Sequence, residues 1–306
     1  MDRTHQLIIV GGGPAGLSAG LYASRSKLDA LLIEKAGLGG QILNAEMVEN
    51  YPGFPQGIPG SELGALIAQQ ATKYGLPTAF AEVQGIEIHG GEKIVSTSEG
   101  QYRAKAVIIA GGSEYSKLGV PGEEEFTGKG VSYCAMCDGA FFRDQVVAVV
   151  GGGNVALNDA LFLTRFASKV IVIHRRDQLR ATKILQDRAF ANPKIKFLWD
   201  TVVDSIIGDK LVKEIRLRNV KTGKVSSLEI SGVFAAVGLR PNTDYLKGLI
   251  TLDESGFISV NGWMETEVPG VFAAGDIRAG SIRQVVSAAG DGATAAVAAE
   301  RFLSSV

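Results

Sequence analysis

The sequence predicts an α/β protein built from two Rossmann-like dinucleotide-binding domains, each three layers deep. Three observations predict it. An apolar strand runs into a glycine turn and a helix near the N-terminus. The same unit recurs 140 positions later, and turn residues break the remaining chain into short strands. At 306 residues the chain can bury two separate cores.

In the first unit, Leu7-Ile8-Ile9-Val10 has the continuous apolar character of a parallel strand buried on both faces. It enters Gly11-Gly12-Gly13-Pro14-Ala15-Gly16, a helical pattern follows from Leu17 to about Ser26, and Ala30-Leu31-Leu32-Ile33 leads to Glu34. This is the dinucleotide fingerprint in its required context. Gly11 serves the tight turn, Gly13 the approach of backbone to a pyrophosphate, and Gly16 close packing of helix on strand. The helix N-terminus offers N–H donors to phosphate. Glu34, 23 positions beyond Gly11, suits the hydroxyls of an unphosphorylated ribose.

The chain between the units is less regular. Gly39-Gly40-Gln41 and Val48 to Gly53 are turn-rich and polar. A helix is predicted from Ser61, as its N-cap, to about Tyr74. Short strands follow at 79–83, 86–89, 93–97 and 106–109, the last ending in Ala110-Gly111-Gly112.

The second unit runs from Val147-Ala148-Val149-Val150 through Gly151-Gly152-Gly153-Asn154-Val155-Ala156 into a helix. Its next strand, Val170 to Ile173, ends at His174-Arg175-Arg176, with Arg180 beyond. His174 is again 23 positions after the first glycine. A carboxylate there would repel a 2′-phosphate, whereas arginines grip it with paired hydrogen bonds. The two units are therefore expected to take different dinucleotides, the second NADPH. An antiparallel meander is predicted over 204–206, 212–219 and 226–230. A strand over 233–237 and the run from Gly270 to Asp276 follow, then a small-residue helix from about Gln284 to Leu303, interrupted at Gly290 and Gly292.

Cys134 and Cys137 are the only cysteines, and they frame Cys134-Ala135-Met136-Cys137-Asp138-Gly139. A bridge this short closes almost no loop, which makes a purely structural disulfide a poor explanation. With three scattered histidines and no second cysteine pair, a four-ligand zinc site is not available, and no metal is expected. A redox dithiol is the reading, with Asp138 placed to move protons. The net charge of −1 provides no basic field for nucleic acid. No apolar run approaches the ~20 residues that span a bilayer. The chain passes directly into its first strand without a secretory segment, so a soluble, cytoplasmic protein without membrane or nucleic-acid partners is expected.

In order, the motifs GGGPAG, GGQ, VENYPG, CxxCDG, GGGN, HRRxxxR, PNT and FAAGD…RQ resemble those of the low-molecular-weight, bacterial-type thioredoxin reductases, over nearly the whole chain. The resemblance implies an FAD domain from both chain ends, 1–117 and 244–306, with an NADPH domain, 118–243, inserted between them. Implied FAD contacts are Gly11, Gly13, Pro14, Ala15, Gly16, Glu34, Lys35, Gly40, Gln41, Asn50, Val83, Ala110, Gly111, Gly275, Asp276, Arg283, Gln284 and Val285. Implied NADPH contacts are Gly151, Gly153, Asn154, Val155, His174, Arg175, Arg176 and Arg180. Cys137 is implied as the thiol nearest the flavin, Cys134 as the one attacking a partner disulfide, and Asp138 as the acid.

The implied reaction carries electrons from NADPH through FAD and the dithiol to thioredoxin. The resemblance also implies a homodimer and two domain orientations exchanged near Lys117 and Thr243. The sequence departs from the family pattern at Asn158-Asp159, at Gly111 and at Leu239. Other readings are a reductase of another dithiol carrier, such as a glutaredoxin-like protein or a peroxidase system, and a redox-sensing flavoprotein. An N-terminal dithiol extension, expected of the peroxidase-linked group, is not seen, and the arginines argue against a dithiol oxidase. Ferredoxin-linked reductases of this fold lack the CxxC.

Overall fold

Alternate residues of the first strand face two different cores, and the layering of the N-terminal unit follows from this. In the computed structural model, which describes residues 4–45 and 47–305, β1 (Thr4–Val10) sends Leu7 and Ile9 into one core and Ile8 and Val10 into the other. Full burial of each such side chain contributes about 1.5–3 kcal/mol. Pro14 opens α1 (Pro14–Arg25), where its missing N–H has no partner to lose. Then come β2 (Ala30–Glu34), α2 (Gly60–Thr72), β3 (Thr78–Phe80), β4 (Val83–His89), β5 (Glu92–Thr97) and β6 (Gly100–Ile109). The sheet order is β3-β2-β1-β6-β5-β4; β4, β5 and β6 pair antiparallel, while β3, β2, β1 and β6 are parallel.

The chain then leaves through β7 (Ser113–Tyr115) into a second compact unit, Tyr115–Leu239. Its elements are β8 (Val131–Ser132), α3 (Ala135–Asp138), β9 (Val146–Val150), α4 (Asn154–Leu163), β10 (Lys169–Ile173), α5 (Lys183–Ala191), β11 (Ile195–Leu198), β12 (Thr201–Gly208), β13 (Val212–Asn219), β14 (Val225–Glu229) and β15 (Gly232–Ala235). A parallel sheet, β11-β10-β9-β15-β8, carries helices over Val147 and Val149 on one face. The antiparallel meander β12-β13-β14 covers Ala148 and Val150 on the other. The return crossing, β16 (Leu239–Pro241), pairs with β7. The first unit, Met1–Glu114 with Arg240–Val306, is completed by β17 (Val271–Ala273), parallel to β6, and by α6 (Val285–Leu303).

Several expectations need correction. Ser61 is not an N-cap: α2 begins one residue earlier, at Gly60, whose N–H bonds the Ala45 carbonyl, with Pro59 at the cap. The helix α6 is not interrupted at its glycines. A Cβ on Gly292 would fall onto the carbonyl oxygen of Ala15, so that glycine lets α6 lie against α1 while the helix continues. The 79–83 strand divides into β3 and the start of β4, because β3 pairs with β2 and β4 with β5. Helix α5 lacks the apolar stripe that makes a helix legible in sequence: within it only Ala189 is fully buried.

Candidate active site

Both sheets place their site residues at the carboxyl ends of parallel strands, where the strand order reverses. In the first unit the reversal lies between β2 and β6 on either side of β1. Gly11 has φ +106, which side chains rarely adopt. The space over Gly13 is open except for Gly40, whose own Cβ would lie 2.9 Å from the Gly13 Cα. Gly12 donates to Glu34 Oε2 at 2.6 Å, and Ala36 N–H donates to Oε1 at 2.9 Å, so the acid is fixed at the rim of the turn. The Ala110 N–H bonds the Val10 carbonyl, which brings 110–111 beside the turn. A Cβ on Gly275 would lie 2.9 Å from that of Ala15.

The far wall carries the Asp276–Val285 stretch. Asp291, buried inside α6, accepts from Arg278 through both oxygens, at 2.6 and 3.0 Å, and from the Gly275 N–H at 3.1 Å. This clamp, invisible in the motif pattern, fixes the turn that carries Asp276. Burial pushes the Asp276 carboxyl up from its ordinary value, opposed by a hydrogen bond from Ser281. Asn50 Nδ2 donates to Gln284 Oε1 at 2.9 Å, joining two further predicted residues. Arg283 has φ +58, and its buried Nε has no hydrogen-bond partner among the described residues. An orphaned guanidinium N–H in the same unit as the Gly11–Gly16 turn fits an anionic dinucleotide. Val285 packs against the cluster around Ile42, and Gln41 is exposed beside Asn44. Lys35 is an exposed partner of Glu114 at 3.9 Å, and Val83 packs on the Ile8 side of the sheet.

The second unit repeats the turn with different chemistry. Gly153 is open, and Asn154 at the start of α4 accepts from the Thr182 N–H at 2.8 Å; Val155 is exposed. His174 occupies Glu34's place, but it is buried, with Nε2 3.0 Å from the Gln178 carbonyl. Burial, more than the neighbouring arginines, holds the imidazole below its ordinary pKa, so it is neutral and donates at neutral pH. The Arg180 and Ala181 N–H groups both bond the Gly152 carbonyl, folding the basic stretch back over the turn.

Arg175, Arg176 and Arg180 line a surface pocket of about 510 Å³ with Asp177, Asp200 and Lys221. No carboxylate lies within ion-pair distance of the three arginines among the described residues. Lys221 and Asp200 carry no sequence signal for this site: Lys221 lies 44 positions from Asp177, and only the β13–β14 turn brings it there.

Cys134 and Cys137 are joined by a disulfide, with Cα atoms 5.3 Å apart. Cys134 caps the single turn of α3 and accepts the Cys137 N–H on Sγ at 3.1 Å. Its own N–H bonds Ser132 Oγ at 3.1 Å. Cys134 is half-buried and Cys137 exposed, with Asp138 beside it half-buried. The turn is held because Gly139 packs against Leu163, Phe162 and Phe166 of the α4 region. The preceding Tyr133 donates to the buried Glu123 at 2.9 Å; burial first, then that carboxylate, pushes its phenol up to about 12. Among the described residues no group of three or more His, Cys, Asp or Glu is arranged to hold a metal ion, and no helix is long and apolar enough to cross a membrane.

Known proteins share this arrangement. The pyridine nucleotide-disulphide oxidoreductase family matches residues 5–292. The thioredoxin reductase of Streptomyces coelicolor is 45% identical over 309 residues, covering 100% of this chain and 96% of that protein. That of Bacillus subtilis is 46% identical over 304 residues, covering 99% of this chain and 96% of that protein. A crystal structure of thioredoxin reductase from Streptococcus pyogenes superposes with a TM-score of 0.96 at 48% identity, covering all of both chains. Glycine turns, basic pocket and dithiol thus lie in a chain that belongs to the pyridine nucleotide-disulphide oxidoreductases and, among them, to the thioredoxin reductase family.

Proposed function

We propose that this protein is an NADPH-dependent disulfide reductase that uses FAD and the Cys134–Cys137 pair to reduce thioredoxin. The observation that carries the reading is the disulfide itself, formed by the only two cysteines and held in the same unit as the arginine-lined pocket. In the first unit, the Gly11–Gly16 turn and Arg283 hold the pyrophosphate of FAD, and Glu34 takes its ribose. In the second, Gly151–Val155 hold the pyrophosphate of NADPH, and Arg175, Arg176 and Arg180 take its 2′-phosphate. Bound FAD supplies the two-electron relay between a nicotinamide and a disulfide.

The chain's own residues complete the chemistry. An electron pair breaks the Cys134–Cys137 bond, and Asp138 delivers a proton to one of the sulfurs. The Cys137 N–H stabilises charge on Cys134 Sγ, favouring the thiolate. Cys134 attacks the partner's disulfide and forms a mixed disulfide. Cys137 then attacks Cys134 Sγ, releasing the partner as a dithiol and restoring the bridge. A dithiol cycle of this kind belongs to a reducing compartment, and we place the protein in the cytoplasm as a homodimer, as in the family it resembles.

The test is NADPH oxidation by the holoenzyme against thioredoxin, a glutaredoxin-like protein and a peroxidase-linked dithiol carrier. Thioredoxin should give the highest kcat/KM, and Cys134→Ser should abolish turnover while NADPH still bleaches the flavin. Equal turnover without any carrier, with oxygen as the sink, would overturn the reading.

A further inference from the structure

The pocket that carries the three arginines also holds two carboxylates, which a phosphate site should exclude. Asp177 lies within the arginine run, and Asp200 lies in the turn just before β12 with only 17% of its side chain exposed. Both are bound by one ammonium: Lys221 Nζ is 2.9 Å from Asp177 Oδ2 and 3.1 Å from Asp200 Oδ2.

The lysine is held in place by its turn. Asn219 Oδ1 accepts from the N–H groups of Lys221 and Thr222, at 3.1 and 2.9 Å, and from the Thr222 hydroxyl at 3.1 Å. The Asp200 carbonyl accepts from Val220 N–H at 2.6 Å, and the Asp200 N–H donates to the Arg176 carbonyl at 3.4 Å. The β13–β14 turn and the arginine run are thus tied to the same residue, and Lys221 reaches the pocket from across it.

We infer that Lys221 is a specificity-determining residue, cancelling Asp177 and Asp200 so that Arg175, Arg176 and Arg180 meet a 2′-phosphate unopposed. The inference rests on the reading of this pocket as the 2′-phosphate site. The Lys221–Asp177 pair is exposed at both ends and contributes little to folding, so its place here follows from charge. Four cations and two anions face the pocket with Lys221 present; without it, two uncompensated carboxylates stand beside a dianionic group. The lysine pKa is raised and that of Asp177 lowered, each first through their mutual hydrogen bond, in keeping with a pair charged throughout the physiological range.

The experiment measures binding of 2′,5′-ADP and 5′-AMP to the holoenzyme by calorimetry, at low and moderate salt, for four proteins. They are the wild type, Lys221→Met, Arg175→Ala/Arg176→Ala, and the triple variant Lys221→Met/Asp177→Asn/Asp200→Asn. Asparagine suits the left-handed backbone at residue 200, φ +52. Lys221→Met should weaken 2′,5′-ADP roughly three- to tenfold, more at low salt, and leave 5′-AMP within about twofold. The triple variant should recover wild-type preference to within about twofold.

An unchanged ratio in Lys221→Met, with a fallen ratio in Arg175→Ala/Arg176→Ala, would overturn the role of Lys221 alone. A triple variant as weak as Lys221→Met would overturn charge cancellation, making the lysine a direct phosphate ligand instead. An unchanged ratio in Arg175→Ala/Arg176→Ala would overturn the phosphate reading of the pocket and the inference with it.

Discussion

The imidazole of His174 lies so close under Gly152 that a Cβ on that glycine would fall onto its Cε1. The corresponding place in the first unit shows the same relationship: a Cβ on Gly12 would lie 3.0 Å from Glu34 Cγ. In both units a residue at the carboxyl end of the second strand, Glu34 within β2 and His174 just beyond β10, packs under the middle glycine of the turn. Gly152→Ala should therefore displace His174 from Gln178 and destabilise the protein by ~1–3 kcal/mol. Gly153→Ala meets open space and should stay within ~0.5 kcal/mol of wild type, while weakening NADPH where the phosphates approach. Denaturant midpoints and NADPH titrations on the two variants separate these effects; equal stability losses would contradict the packing.

Acidification should act through the same histidine. Burial holds the folded His174 below its ordinary pKa, so the unfolded chain takes the proton first. Its contribution is complete above the unfolded value of about 6.5 and is lost as pH falls from there through the folded value. Thermal midpoints between pH 8 and 5.5 should fall more for wild type than for His174→Gln. Parallel slopes would remove His174 as the cause.

Arg283 offers a way to separate cofactor binding from folding. Its Nε has no protein hydrogen bond to lose, and its guanidinium stands 5.8 Å over the Phe257 ring. Arg283→Met should leave the apoprotein within ~1 kcal/mol of wild type, yet reduce flavin retained through gel filtration by more than tenfold. Loss of apoprotein stability with normal flavin content would reverse that assignment.

The Arg278–Asp291 clamp should behave in the opposite way. Asp291→Asn leaves a part-buried guanidinium without its charge partner and loosens the turn at Gly275. A loss of ~3 kcal/mol is expected even without flavin, measured as the shift in denaturant midpoint of the apoprotein. A shift confined to the holoprotein would mean that the clamp serves the cofactor alone.

The parts of this molecule legible in sequence are those that repeat or that carry their meaning in local spacing. Leu7 to Gly16 and Val147 to Ala156 announce strand, turn and helix because Gly11, Gly16 and Gly151 are forced by close packing against neighbouring backbone. The CxxC announces itself because its partners are three residues apart. Lys221, Asp200, Arg278 and Asp291 matter through contacts made by folding, across separations that no local pattern records. Histidine at 174 is legible as part of a basic stretch, but its neutral state comes from burial against Gly152 and beside Trp199, which only the fold supplies.

Electrons from NADPH arrive at the Cys134–Cys137 bond. The most direct measurement adds a small excess of NADPH to anaerobic holoenzyme without any carrier, quenches with a thiol-alkylating reagent and maps the labels by mass spectrometry. The expected result is two labelled thiols per chain, Cys134 and Cys137, in step with NADPH consumed, and no label at either in enzyme without NADPH. NADPH consumption with both cysteines still bridged would contradict the account.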